Sequence, residues 1–392
     1  MQDSIRLGVI GCGGIAEQHR SYFAKIDGLK LAGATDVAPG AAQAYLDGAK
    51  AQNVRLADGA RTHESGQALI ASGECDAVLI ATPHYQHPEF ASVALSAGLH
   101  TLVEKPLAVS VADADALLDI RAQHPTPVFA AMFNQRTHPV WRMVKRLIDD
   151  GRLGALRRTA WTITDWFRTD AYYGSGGWRA TWAGEGGGVL LNQCPHNLDL
   201  FQWFAGMPSR VRAVVGLGKH HKIEVEDEVT AVLEYPGGAT GTFITSTGEA
   251  PGENRLVLVG DKATLIAGLG GGPATQGGLS GGAAGGGYVQ LLENDPPADV
   301  FRRDSPERFA KPTVHRYDIT PGGPSEDHLA ITRNFVQAVL QDEPLIAPAE
   351  QGLHGLELGN AMLLAGLEDR AVDLPLDRGA YQARLESLIA GS

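Results

Sequence analysis

Hydrophobic residues in the first third of the chain fall in short continuous runs separated by segments with helical spacing. The runs are RLGVIG, LKLAGAT, DAVLIAT, LHTLV and PVFAAMF. After the first run, the apolar and aromatic positions recur every three or four residues, as on one face of a helix, at Ile15, His19, Tyr22, Phe23 and Ile26. Continuous apolar strands that alternate with helices predict a parallel sheet covered on both faces. We therefore expect a doubly wound α/β domain over residues 1–126.

The pattern changes after residue 126. A helix is predicted for HPVWRMVKRLIDDGRLG, and a series of strand-like segments follows, joined by turns that contain Gly or Pro. These segments are LRRTAWTITDWF, RVRAVVGLG, DEVTAVLEYP, ATGTFITSTG, NRLVLVG and KATLIAG. Consecutive strands without helices between them predict an open, largely antiparallel sheet. Helical patterns return near the end, so residues 127–392 are expected to form a second, α+β domain.

The glycine-rich segment at residues 268–287 has two interpretations. A phosphate-binding loop requires a following Lys-Ser or Lys-Thr pair and a helix, and the segment has neither. Its low-complexity composition favours a mobile surface loop.

Composition narrows the function classes. A chain of 392 residues is long enough for two domains, and its formal net charge of −12 argues against nucleic acid and anionic membranes as partners. No apolar run approaches the roughly 18–20 residues of a membrane-spanning helix. The three cysteines are scattered and lack metal-ligand spacing, which favours a reducing, cytoplasmic environment.

The turn after the first strand has the chemistry of a dinucleotide site. Glycines that allow positive φ let the backbone approach a pyrophosphate, which then lies on the N-terminus of the following helix. The predicted cofactor residues of this turn are Gly11, Cys12, Gly13, Gly14, Ile15 and Ala16. Asp36 ends the second strand and would accept hydrogen bonds from the adenosine ribose. No Arg or Lys lies between Val37 and Tyr45 to receive a 2′-phosphate, so NAD is favoured over NADP. The structural alternative is a plain glycine turn followed by a capping aspartate.

Three segments together resemble the glucose–fructose oxidoreductase/inositol dehydrogenase (Gfo/Idh/MocA) family. They are GVIGCGGIA, IATPHYQHPEFASVALSAGLHTLVEKPLA and GGGVLLNQCPHNLDLFQWFAG, in the family's order. The resemblance implies a Rossmann domain and an open-faced sheet domain that binds substrate. It also implies hydride exchange between a nicotinamide and a hydroxyl of a sugar or cyclitol, and homo-oligomers, dimers or tetramers, built through the sheet domain.

Lys105 is the first catalytic candidate. It follows a parallel strand at the carboxyl edge of the sheet, where ligands bind in this architecture. An ammonium group there can hydrogen-bond the reacting hydroxyl, stabilise a developing alkoxide or give up a proton. Glu104 precedes it and is expected to fix its backbone. The structural alternative is a surface lysine before a helix.

His196 is the second catalytic candidate, because an imidazole transfers protons near neutral pH. The resemblance implies the pattern Asp, Gly, His, Asp at positions occupied here by Asn192, Cys194, His196 and Asp199. An amide at Asn192 can position a substrate hydroxyl but cannot take a proton. Lys105 and His196 are then expected to share the proton transfer. The alternative for His196 is a residue that caps or packs a helix.

Further residues are expected to line the substrate or the cofactor. Flat aromatic rings suit the C–H faces of sugars and an arginine could bind an anionic group, so we select Trp166, Arg168 and Tyr172 for the substrate. The resemblance implies cofactor contacts for Thr82, Pro83, His87, Glu104, Lys105, Asn134, Trp178 and Arg179. His84 and His87 lack a carboxylate or cysteine partner, so no metal site is predicted.

These features predict an NAD-dependent oxidoreductase that acts on a secondary hydroxyl of a sugar, glycoside or cyclitol. A second interpretation is an NAD-dependent glycoside hydrolase, in which transient ring oxidation permits elimination and the retained NADH reduces the product. A third is a non-catalytic NAD-sensing protein, which the presence of both Lys105 and His196 disfavours.

Overall fold

The computed structural model describes residues 3–269 and 286–391, which form two compact units. Unit 1 contains Met1–Thr137, Gly184–Gly186 and Glu326–Leu356, and unit 2 contains His138–Ala183, Gly187–Ser325 and Glu357–Ser392. The sequence pattern suggested one boundary after residue 126, but each compact unit is made of several separate segments of the chain. Unit 1 includes Glu326–Leu356, which lies far beyond that boundary. The sequence gives no local sign of this arrangement, because the helix Asp327–Gln341 of unit 1 has the same periodic pattern as any other surface helix.

Unit 1 is built on a six-stranded parallel sheet with the strand order β3-β2-β1-β4-β5-β6. The strands are β1 (Ile5–Ile10), β2 (Leu29–Thr35), β3 (Leu56–Thr62), β4 (Ala77–Ile80), β5 (His100–Val103) and β6 (Phe129–Ala131). All four residues of β4 are buried, as expected for a strand covered on both faces. The predicted doubly wound domain is confirmed.

Six helices accompany this sheet in unit 1. They are α1 (Gly14–Phe23), α2 (Ala41–Ala51), α3 (Gly66–Ala71), α4 (Gln86–Ser96), α5 (Val111–Gln123) and α10 (Asp327–Gln341). The expected N-cap of α5 is present, because Ser110 Oγ accepts a hydrogen bond from the Asp113 N–H at 3.2 Å. Two short 3₁₀ turns, Asn134–Thr137 and Ala349–Gln351, complete the unit.

Unit 2 contains a nine-stranded sheet with the strand order β14-β13-β12-β11-β7-β10-β9-β8-β15. The strands are β7 (Leu156–Ile163), β8 (Arg210–Leu217), β9 (Glu226–Glu234), β10 (Thr240–Ser246), β11 (Asn254–Gly260), β12 (Ala263–Gly268), β13 (Tyr288–Asp295), β14 (Thr313–Ile319) and β15 (Val372–Asp373). All neighbours are antiparallel except β7 and β10. The predicted open, largely antiparallel sheet is confirmed.

The core of unit 2 is an aromatic cluster between this sheet and its helices. The helices are α6 (Pro139–Asp149), α7 (Asp170–Tyr173), α8 (Pro195–Ala205), α9 (Ala298–Asp304) and α12 (Arg378–Gly391), while α11 (Gly352–Leu367) begins in unit 1 and ends in unit 2. Trp141 of α6 lies 5.1 Å from Trp161 of β7, measured between ring centroids. Trp161 lies 6.0 Å from Phe201 of α8, which lies 5.6 Å from Phe243. Tilted aromatic pairs at these distances are favourable, so the cluster fixes α6 and α8 on the sheet.

The interpretation of residues 268–287 as a surface loop falls mostly outside the described residues. Among the described residues, we find no helix with the length and apolar content needed to cross a membrane.

Candidate active site

The glycine turn of unit 1 leads directly from β1 into α1. Gly11 has φ +89°, and a Cβ on it would lie 2.6 Å from the Ala81 carbonyl oxygen. At Gly13 and Gly14, by contrast, an added Cβ would meet nothing within 4 Å. Gly13 is the N-cap of α1, and no side chain caps the helix there. The first N–H groups of α1 are thus available to a phosphate that approaches across the two exposed glycines.

Asp36 follows β2 and is oriented by two backbone donors. Its Oδ2 accepts a hydrogen bond from the Cys12 N–H and its Oδ1 from the Ala38 N–H, both at 2.7 Å. Each carboxylate oxygen keeps capacity for a further donor, such as a ribose hydroxyl. Cys12 takes part through its backbone. Its side chain is buried, and burial raises the pKa of the thiol to about 12.

Thr82 follows β4 beside the glycine turn, and its hydroxyl fits a bound cofactor. Thr82 Oγ1 is buried and has no hydrogen-bond partner among the described residues. A buried hydroxyl needs a partner, which a ligand at this strand end would supply. Pro83, the next residue, is exposed at the same edge.

His87 differs from its expected role as a cofactor contact. Its ring is 1% exposed, with Nδ1 2.7 Å from the Pro106 carbonyl oxygen and Nε2 2.8 Å from the Thr82 carbonyl oxygen. Burial lowers the pKa of this imidazole. The ring therefore ties the end of β4 to the turn after Lys105, and it has almost no surface to offer a cofactor.

Glu104 and Lys105 follow β5, the neighbour of β4 in the sheet. Glu104 is 3% exposed; its Oε1 lies 2.7 Å from His19 Nε2, and its Oε2 accepts the Lys105 N–H at 3.2 Å. Burial disfavours the charged carboxylate, but the hydrogen bond and positive charge from His19 hold the pKa of Glu104 at about 2. Glu104 thus orients the Lys105 backbone, and its expected cofactor contact stays a prediction. The side chain of Lys105 is half-buried.

His19 and His328 were missed as site residues by the sequence analysis. His328 comes from α10, and its Nδ1 lies 3.1 Å from Asn134 Nδ2 and 3.3 Å from Gln18 Nε2. Burial lowers the pKa of His328 to about 4, so the ring is neutral at pH 7. Asn134 is buried in this contact with its Oδ1 unpartnered among the described residues, and its expected contact with a cofactor stays a prediction. The only sequence signal was the helical spacing of His19, which is typical of any buried helix position.

His19, Glu104 and His328 also place three metal-ligand atoms within 4.8 Å of one another. The 2.7 Å separation of His19 Nε2 and Glu104 Oε1 is a hydrogen-bond distance. Two ligands of one tetrahedral zinc ion, each at about 2.0–2.1 Å from the metal, lie farther apart than this. The cluster has the geometry of a hydrogen-bonded network.

The second catalytic candidate lies in unit 2. His196 is half-buried in the first turn of α8, which begins at Pro195. Asn192 precedes the helix, and its N–H donates to the Gly188 carbonyl oxygen at 2.9 Å. Asp199 is fully buried one turn after His196. Lys105 and His196 belong to different compact units, so their shared role in proton transfer stays a prediction.

Glu226, the first residue of β9, holds the glycine-rich segment that leads to His196. Its fully buried carboxylate accepts hydrogen bonds from the Gly188 N–H at 2.9 Å and the Leu190 N–H at 3.1 Å. A Cβ at Gly188 would lie 1.9 Å from the Glu226 carbonyl oxygen, so only glycine fits there. Sequence analysis missed Glu226, because it reads as one acidic residue among several at the start of a strand.

The aromatic segment selected for the substrate lies wholly in unit 2. Trp166 Nε1 donates to Asn197 Oδ1 at 3.2 Å, next to His196 in the sequence. Tyr172 Oη accepts hydrogen bonds from Arg179 Nη1 at 3.1 Å and Gln193 Nε2 at 3.3 Å. The structure thus brings Arg179 together with the substrate candidates. The cofactor contacts that the resemblance implies for Trp178 and Arg179 stay predictions.

Two family models match the chain. The model described as an oxidoreductase family with an NAD-binding Rossmann fold matches residues 5–132, and the model of the GFO/IDH/MocA C-terminal domain matches residues 141–266.

Among curated proteins, an uncharacterised oxidoreductase, ORF334, from Rhizobium meliloti is 30% identical over 62% of this chain and 69% of its own length. Levoglucosan dehydrogenase from Pseudarthrobacter phenanthrenivorans is 27% identical over 49% of this chain, and the match spans about half (54%) of that relative. Among solved structures, the WlbA dehydrogenase from Bordetella pertussis, in complex with NADH and UDP-GlcNAcA, has a TM-score of 0.74 at 24% identity. That alignment covers 95% of this chain and 100% of the WlbA chain.

Proposed function

Because the chain belongs to the GFO/IDH/MocA oxidoreductase family, with an NAD-binding Rossmann domain, we propose that it oxidises a secondary hydroxyl of a sugar, glycoside or cyclitol. One observation carries the proposal. The neighbouring strands β2, β1, β4 and β5 end at one edge of the sheet, followed respectively by Asp36, the glycine turn, Thr82 and Lys105. Ribose, pyrophosphate and nicotinamide partners and a candidate acid–base group thus follow one another along a single edge.

Bound at this edge, NAD would supply the hydride acceptor for oxidation of the carbon that bears the reacting hydroxyl. The uncapped N-terminus of α1 binds the pyrophosphate, and Asp36 accepts hydrogen bonds from the ribose hydroxyls. A carboxylate at this position repels a 2′-phosphate, which supports NAD over NADP. The unpartnered Thr82 hydroxyl hydrogen-bonds the bound cofactor.

Lys105 orients the substrate hydroxyl and stabilises the oxygen as its proton leaves, and His196 receives that proton. Asn192 hydrogen-bonds a substrate hydroxyl without exchanging a proton, because an amide does not titrate. The Glu104–His19 pair and His87 hold the backbone on the two sides of Lys105.

The test is a substrate screen with NAD that records NADH absorbance and sugar product together. With a turned-over substrate, Lys105→Met and His196→Ala are each expected to lower kcat by about 10²–10⁴-fold, the usual contribution of a general acid or base. The control is Lys50→Met, which removes an equal charge from an exposed position at the end of α2. Full turnover by the Lys105→Met/His196→Ala double variant contradicts the mechanism.

The same assay separates the glycoside hydrolase alternative, which the comparisons do not favour because the relatives reported above are oxidoreductases. A dehydrogenase produces one NADH for each sugar oxidised. Aglycone release that requires NAD without net NADH would instead identify a hydrolase.

We infer that the chain acts as a homo-oligomer through the sheet of unit 2. Val214, Leu217 and Val232 of β8 and β9 are 75%, 43% and 48% exposed, an apolar surface that a second copy would cover. We also infer a cytoplasmic location, because Cys12, Cys75 and Cys194 form no disulfide among the described residues.

A further inference from the structure

Two arginines of unit 2 are interleaved with three aromatic rings. Arg168 Cζ lies 5.4 Å from the ring centroid of Trp166 and 5.1 Å from that of Tyr172. Arg179 Cζ lies 4.9 Å from the Tyr172 centroid and 4.7 Å from that of Trp178. We call these five side chains the Arg–aromatic series. Stacking uses the flat face of a guanidinium group and leaves its N–H edges free to bind acceptors.

Neither guanidinium group forms a salt bridge among the described residues, although the Arg168 charge lies close enough to Asp165 to favour the ionised form of that carboxyl. Among the residues that the structure describes, Arg168 donates through Nη1 only to the Phe167 carbonyl oxygen, at 2.9 Å, and Arg179 only to Tyr172 Oη, at 3.1 Å. A guanidinium group carries five N–H donors, so most of the donors of both residues remain available. In a chain with 45 acidic and only 33 basic side chains, two unpaired and half-buried cations in one cluster indicate a binding site for an anion.

One member of the series, Arg179, lines a cavity of about 740 Å³ that lies entirely within unit 2. Arg179 and Lys222 line it, together with Tyr173 and the acidic residues Asp170 and Glu224. Glu224 is already engaged, because its Oε2 accepts the Trp182 N–H at 3.1 Å. The volume is in the range of small-molecule sites and is sufficient for a sugar ring with a charged substituent.

A buried amide next to the series indicates that the ligand also carries hydroxyl groups. Gln193 is 5% exposed, and its Nε2 donates to Tyr172 Oη at 3.3 Å. Its Oε1 is buried and has no partner among the described residues. Whichever way the amide is oriented, one of its two polar atoms lacks a partner. A sugar hydroxyl can act as donor or acceptor and satisfies either orientation.

We propose that the Arg–aromatic series binds the anionic substituent of an acidic sugar, so that the substrate is a uronate or a sugar phosphate. The inference rests on the proposed function and specifies its substrate class. Carboxylate and phosphate groups both match the guanidinium fork, and the aromatic rings pack against the C–H face of the sugar. A neutral polyol would leave Arg168 and Arg179 without a salt-bridge partner.

The test is calorimetric binding to the full-length protein saturated with NADH, using D-glucuronate, D-glucose 6-phosphate and D-glucose as probes. We expect the wild type to bind one of the two anionic sugars at least tenfold more tightly than glucose. Tighter binding of glucuronate indicates a carboxylate site, and tighter binding of glucose 6-phosphate indicates a phosphate site. Arg168→Met and Arg179→Met are each expected to weaken binding of that anion by about 10- to 100-fold, the usual effect of losing a charged hydrogen bond, while glucose affinity changes little. Arg302→Met removes an equal charge from the exposed face of α9 and is expected to change nothing.

NADH binding and thermal unfolding of each variant serve as folding controls, and Arg179→Lys is expected to retain part of the preference for anions because it keeps the charge.

Equal affinity of the wild type for glucose and both anions overturns the inference but leaves the proposed dehydrogenase activity intact if a neutral polyol is oxidised. A preference for anions that survives in both Met variants overturns the assignment to this series. Loss of NADH affinity in Arg179→Met, with an unchanged ratio of anion to glucose affinity, overturns it in favour of a cofactor contact. Absence of any sugar binding or turnover, with NADH bound normally, overturns this inference and the proposed function together.

Discussion

In unit 1 the Glu104 carboxylate is buried against His19, and His328 is buried against Asn134, whereas in unit 2 the guanidinium groups of Arg168 and Arg179 are half-buried between aromatic rings with no acidic partner among the described residues. We call the first arrangement closed, because the Glu104 carboxylate is bound by a side chain of the same unit, although His19 Nδ1 and Asn134 Oδ1 are buried without a partner among the described residues. The second is open, since most of its donors await an acceptor. Closed polar networks fix a backbone, here at Lys105, and open ones recognise a ligand.

The strongest way to break the closed network is to remove its charge. We expect Glu104→Ala to lower the free energy of unfolding by about 3–5 kcal/mol, because one member of a buried ion pair is lost. Urea unfolding measures the change, and Glu64→Ala, at an exposed position of the same unit, is the control. A loss no larger than that of the control would mean that the pair does not hold the turn.

The pH dependence of the free energy of unfolding tests the same network through His328. Its pKa is about 4 in the folded protein against 6.5 for the free side chain, so between these values the unfolded chain binds more protons. Stability from this residue is therefore complete above about pH 6.5 and declines as the pH falls towards 4, by about 3 kcal/mol. Glu104, with its pKa of about 2, loses its contribution only below about pH 4.5.

His328→Gln keeps an acceptor for Asn134 but does not titrate, so we expect its stability to change much less than that of the wild type between pH 6.5 and 4. The two profiles are compared by urea unfolding at several pH values. Parallel profiles for the two proteins would contradict the assignment to His328.

A smaller effect is expected at Glu226, a buried carboxylate of unit 2 whose acceptors are satisfied by backbone N–H groups. Glu226→Gln replaces a carboxylate that accepts two backbone N–H groups, and we expect a loss of about 1–3 kcal/mol, as for one unsatisfied buried donor. Glu234→Gln, at an exposed position on β9, is the control. If both variants unfold alike, Glu226 does not hold the glycine-rich segment, and the two units differ in more than the Arg–aromatic series.

The smallest expected effect on stability concerns the outer face of the unit 2 sheet. Val232→Asp changes a residue that is 48% exposed, so the monomer should lose no more than about 0.5 kcal/mol. If this face joins two copies, light scattering will nevertheless report a lower mass for the variant. Val93→Asp, 37% exposed on α4 of unit 1, is the matched control. An unchanged mass for Val232→Asp would exclude this part of the face as the interface.

The sequence predicted most strands of both sheets, including the edge strand β6, but missed the edge strands β3, β14 and β15 and the inner strand β13. β4 is buried at every position and β9 alternates between buried and exposed residues, so both leave a hydrophobic pattern. β3 and β14 are edge strands whose residues are mostly exposed, and neither has such a pattern. The same holds for the candidate site. The glycine turn, Asp36 and Lys105 follow the ends of predicted strands, so the sequence located them, whereas it missed His19, His328 and Glu226.

By itself, the sequence determined the parallel sheet, the open sheet, the dinucleotide turn and the family, because each depends on periodicity or on residues close together in the chain. Only the tertiary structure brought His19 and His328 to Glu104, joined His87 to the Thr82 and Pro106 carbonyls and placed Arg168 and Arg179 over aromatic rings. His328 joins this network across more than 200 residues of intervening chain. Such contacts are set by how whole elements pack, and packing leaves no local pattern at the residues that it brings together.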